Sequence, residues 1–82
     1  MSGLPIIVIV ERDNAIENPD FQDRYIGSVC RTFEEAKEVC VNHMVRYRDN
    51  LLTDYINNGV HYAEVDCETA EILKEWFVMR IN

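Results

Sequence analysis

The chain predicts an α+β fold: a four-stranded, mainly antiparallel sheet in β-β-α-β-β order, with one long helix packed on one face. Three observations predict it. Thr32 to Gly59 carries helical periodicity between a start and a stop signal. Ile6 to Val10 is an unbroken run of β-branched residues, and the sequence from Tyr62 onward alternates with period two.

The first strand is expected over residues 4 to 10, Leu-Pro-Ile-Ile-Val-Ile-Val, with Pro5 at the entrance, where a strand tolerates it. Ile6 to Val10 is apolar at every position, so both faces of this strand are expected to be covered. One helix covers only one face, which implies a further molecule on the other. Glu11 to Asp23 mixes acids with Asn14, Asn18 and Pro19 and reads as a loop. Tyr25 to Arg31 reads as the second strand. Tyr25, Gly27, Val29 and Arg31 lie on one side of it, Ile26, Ser28 and Cys30 on the other.

The helix begins on a capping box, Thr32-Phe33-Glu34-Glu35. The Thr32 hydroxyl accepts from the Glu35 backbone N–H, and the Glu35 carboxylate is expected to reach back to Thr32. Glu34, Glu35 and Glu38 lie at the positive end of the helix dipole. Asn57-Asn58-Gly59 offers the left-handed conformers that close a helix. Steps of about 100° per residue place Phe33, Ala36, Cys40, Met44, Tyr47, Leu51 and Tyr55 on one apolar stripe. Val41, Val45, Leu52 and Ile56 form a second. The combined apolar arc of roughly 200° is about twice what one surface helix needs, so the second stripe is expected to meet a partner. At this length the helix would span about 40 Å, overhanging the sheet or bending near Asp49-Asn50.

Beyond Gly59, Ala63, Val65 and Cys67 alternate with Tyr62, Glu64, Asp66 and Glu68, predicting an inward apolar face and an outward acidic one. Glu68 to Glu71 is the expected turn. Ile72 to Ile81 reads as the fourth strand in preference to a short helix over Thr69 to Phe77. Leu73, Phe77, Met79 and Ile81 there oppose Trp76, Val78 and Arg80. Tyr62 and Trp76 are expected to be cross-strand neighbours and, with Val78, an exposed anchor on the far face of the sheet.

Eighty-two residues predict one domain, 1–82, whose small core leaves little stability to spare, and dimerisation is a common remedy. Three cysteines, odd in number and without a CxxC pair, fit a reducing compartment, and with no visible secretory signal the expectation is cytoplasmic. The net charge is −7, from 15 acids against 8 bases. That balance opposes direct nucleic-acid binding and attachment to anionic membrane. Solubility alone explains such a charge. The functional alternative is an acidic surface made of Glu11, Asp13, Glu17, Asp20, Asp23, Glu64, Asp66 and Glu68, steering toward a basic partner.

No residues present themselves for catalysis, metal or cofactor binding. His43 and His61 have no ligand spacing. Glu64, Asp66 and Glu68 on one strand face would stand about 6.8 Å apart, wide for a single ion. Ser2 and Ser28 lack a nucleophile elbow, and Gly3, Gly27 and Gly59 form no phosphate loop. The expectation is a small acidic, non-catalytic protein-interaction module. It would be homodimeric, recognise a protein partner and use Val41, Val45, Leu52, Ile56, Tyr62, Trp76 and Val78. The alternative is a phage-type nucleic-acid mimic that blocks a host nuclease or defence complex through carboxylates aligned along a strand. A small-molecule regulatory domain is a third class, with no ligand group to support it.

Overall fold

The structure, a computed structural model, describes residues 6–44, 51–56 and 59–81. In chain order these form β1 (Ile7–Asp13), a 3-10 turn (Pro19–Phe21), β2 (Asp23–Tyr25), α1 (Phe33–His43), β3 (Leu51–Ile56), β4 (Gly59–Val65) and β5 (Ile72–Arg80). The sheet has five strands rather than four, all antiparallel, in the order β2-β1-β5-β4-β3. The α+β class stands, with one α-helix, among the described residues, against one face of the sheet.

The fifth strand comes out of the stretch read as helix. Helix α1 has 11 residues and ends at His43, with Met44 already in extended backbone. Leu51–Ile56 is a strand, paired with β4 through to Ile56 opposite Gly59. The expected helix over 45–50, its bend and the Asn57-Asn58 stop lie outside the described residues. Six residues are too few for the two periods to separate, because Leu51, Leu52, Tyr55 and Ile56 satisfy a helical stripe and a strand alike. Asn-Asn-Gly likewise has the composition of a tight hairpin loop as much as of a helix stop. Gly59 is required by close approach, since a Cβ there would collide with the Val78 carbonyl oxygen.

The capping box forms at its first bond, with the Glu35 N–H donating to Thr32 Oγ1 at 3.1 Å. The Glu35 carboxylate reaches one residue further than expected, accepting from the Arg31 N–H at 2.8 Å. Ala36 and Cys40 are the buried residues of the helix, joined in the core by Met44 just past its end and flanked by Phe33 and Val39. Burial pushes the Cys40 thiol up to about 12, so it behaves as a small apolar side chain.

Strand β1 alternates buried and half-buried. Ile7 and Ile9 face α1, together with Val60 and Tyr62 of β4 and Trp76 and Val78 of β5. Trp76 anchors this layer. Full burial of so large a side chain contributes about 4–6 kcal/mol of transfer free energy. Beside β1 the second strand is shorter than the Tyr25 to Arg31 expected. After Tyr25, the Ile26 N–H still donates to Ile9 O at 3.1 Å. Gly27, at φ 66°, then starts a three-residue detour that passes Val8 before Cys30 rejoins the sheet opposite Ile7. Ile26 and Cys30 share the buried side, as their alternation predicts. The described residues thus form two layers, the sheet and α1. No described helix is long and apolar enough to cross a membrane.

Candidate interaction surface

Tyr62, Trp76 and Val78, expected on the far face, lie beneath α1 and are almost completely buried. Tyr62 and Trp76 are cross-strand partners as expected, but on the inner side. Period-two alternation says which residues share a face. Which face is inside depends on where the helix lands, and α1 lands over Tyr62 and Trp76. Two of the proposed surface acids follow them inward, since Glu11 and Glu64 are each only 2% exposed.

Glu11 belongs to β1, not to a loop, and its carboxylate joins three elements. Trp76 Nε1 of β5 donates to Oε2 at 3.0 Å, and Arg24 Nε of β2 donates to Oε1 at 3.0 Å. His43, at the end of α1, stands 3.7 Å from Oε2. Burial pulls the Glu11 pKa upward, but the Trp76 and Arg24 hydrogen bonds and the nearby positive charges outweigh it, so the group ends below its ordinary 4.5.

The opposite face carries no described element, and its side chains fall into rows across the strands. Tyr25, Val10, Phe77, His61 and Asp54 form one row, and Asp23, Arg12, Glu75, Ala63 and Leu52 the next. Toward the other end Val8 pairs with Met79, and the Ile81 N–H donates to Ile6 O at 2.9 Å. Phe77 is the centre of this face. The Arg12 guanidinium sits 4.9 Å from its ring centroid, and the His61 ring stacks on it at 4.8 Å.

The polar groups here are paired. Arg12 holds Asp23 through two bonds of 2.8 and 3.0 Å, which keeps the Asp23 carboxyl below the usual carboxylate range. Glu75 accepts from Asn14 Nδ2 at 3.0 Å and lies 3.1 Å from His61 Nε2. Tyr25, Met79 and Ile81 remain exposed, Tyr25 at 77%.

The remaining expected site residues scatter. Val41 is half-buried on α1, Leu52 is exposed on the open face, and Val45 and the side chain of Ile56 lie outside the described residues. Glu17 and Asp20 are exposed in the β1–β2 connection, while Asp13 is half-buried and accepts from the Ala15 N–H. Asp66 is half-buried in the β4–β5 turn, taking the Glu68 and Thr69 N–H groups at 2.8 and 3.1 Å, and Glu68 is exposed. With Glu64 buried and β4 ending at Val65, these acids form no exposed track along one strand.

The two acidic loops nevertheless meet. The Asn14 N–H donates to Leu73 O at 3.2 Å, drawing Asp13, Glu17 and Asp20 to the same end of the sheet as Asp66, Glu68 and Glu71. An open cavity of about 420 Å³ lies at this end, lined by Asp13, Asn14, Glu64, Glu71, Ile72 and Lys74 among others. Among the described residues no three His, Cys, Asp or Glu groups are arranged to hold a metal ion. The sheet is thus polarised along its strands, acidic at one end and apolar on the open face at the other.

The apolar run Ile6 to Val10 implies an uncovered face on the first strand, but the expectation placed Tyr62, Trp76 and Val78 there instead of Phe77 and Met79. The signal available was the grouping of Phe77, Met79 and Ile81 on one side of the last strand, opposite Trp76 and Val78.

Comparison of the chain with family models, with curated proteins and with solved structures found no significant match.

Proposed function

We propose that this protein is a small, acidic, non-catalytic interaction module. Its contact surfaces are the open face of the sheet and the acid-rich end beside it. The open apolar face carries this reading: among the described residues, the sheet and its one helix leave Val8, Val10, Phe77, Met79 and Tyr25 without a covering layer. The paired loops supply the steering charge for a basic protein surface, acting on encounter rate more than on final affinity. A cytoplasmic setting accords with free Cys30, Cys40 and Cys67. The nucleic-acid mimic draws less support, because its carboxylate track would have to run through the buried Glu64.

Retention of a protein from lysate on immobilised wild type, compared with Glu68→Lys/Glu71→Lys and with Met79→Glu, tests the proposal. Retention should weaken with added salt and with each of the two variants. Retention indifferent to both variants would remove the proposed surfaces.

A further inference from the structure

Resting on the reading of the open face as a contact surface, we propose that this face is occupied by a second copy of this chain, packed sheet against sheet with the apolar block in the contact. Val8, Val10, Tyr25, Phe77, Met79 and Ile81 form the block, and the ionisable groups bordering it already have partners within one chain: Arg12 pairs with Asp23, Asn14 donates to Glu75, and His61 lies against Glu75. The block itself contains no charged side chain, and an apolar patch complements itself across a twofold axis.

Size agrees. The five strands, three to nine residues long and about 4.8 Å apart, give an open face of roughly 500 Å² in plan as a whole, and more once side-chain relief is counted. A specific interface needs about 600–800 Å² from each partner. Charge distribution fixes the orientation. With the twofold axis running across the strands between the two sheets, the acid-rich ends point in opposite directions. They then stand more than a strand length apart, beyond the ~8 Å screening length at physiological salt. The net charge of −7 therefore does not oppose this arrangement, and each acidic end stays open to a basic partner.

Sedimentation equilibrium over a concentration series tests the assignment. Wild type should move toward twice its 9.6 kDa mass. Met79→Glu places a charge in the apolar contact and should weaken self-association by about 100-fold. Tyr25→Ser, at a side chain that makes little contribution to the monomer core, should weaken it about 10-fold, with circular dichroism unchanged in both. Glu68→Lys, at the acidic end, should leave it unaltered. Wild type at monomer mass up to about 1 mM, or a dimer indifferent to Met79→Glu, overturns the second copy.

Binding of the neutral dye Nile red then separates the two levels. Dye bound by a monomeric wild type and lost in Met79→Glu means the face receives some other apolar partner. No dye on a monomeric wild type removes the contact-surface reading as well.

Discussion

Trp76 and Phe77 are adjacent in sequence and opposite in circumstance. Trp76 is sealed beneath α1, and its only polar side-chain atom donates to a carboxylate 65 residues away. Phe77 faces outward and is shielded by the side chains of its strand neighbours, Arg12 and His61. One face of the sheet is therefore dried by a second layer and the other only by local stacking. Stability resides on the first face and capacity for contact on the second. A substitution should divide its effect accordingly.

The largest expected change is at the sealed side. Trp76→Ala removes the central core side chain and strips Glu11 of a donor, and should cost about 3–5 kcal/mol, read as a lowered urea midpoint. Next comes Glu11→Gln, which keeps the shape but loses the charge-assisted bonds to Trp76 and Arg24, at about 1–3 kcal/mol near neutral pH. Because the folded carboxyl lies below its unfolded value near 4.5, its contribution is complete above that value and disappears as pH falls through and below it. Urea midpoints measured against pH should accordingly converge for wild type and Glu11→Gln in acid, and a constant gap would contradict this.

Phe77→Ala should cost less, about 1–2 kcal/mol, while weakening self-association more than any core change that leaves the protein folded. If it destabilised as strongly as Trp76→Ala, the distinction between the faces would be wrong. The smallest effect belongs to Asp23→Asn. Its ion pair with Arg12 is solvent-exposed, so no measurable midpoint shift is expected.

Local signals were legible wherever local chemistry decides. Thr32 and Glu35 announced the helix start, and the alternation from Ile72 announced the last strand over its helical competitor. Tyr62 was correctly set across from Trp76. What stayed illegible depends on distant partners. An acid at Glu11 argues for a surface until Trp76 and Arg24 are seen to satisfy it, and neither is near it in sequence. Glu64 misled for the same reason. The broad apolar arc assigned to residues 32–59 was itself informative, although misread. A stripe twice as wide as one helix needs was a sign that part of the segment, Leu51–Ile56, follows another period.

The order of strands also has a consequence for assembly on the ribosome. Strand β5 is synthesised after the other four described strands, yet it occupies the middle of the sheet, between β1 and β4. Until it emerges, the earlier strands are two hairpins that share no neighbour, each with a bare hydrogen-bonding edge and with no indole to fill the space under the helix. Productive folding must then wait on a contact of long sequence separation, which is slow to close. Nascent chains stalled before Ile72 should therefore be digested readily by protease, whereas completed ones should resist.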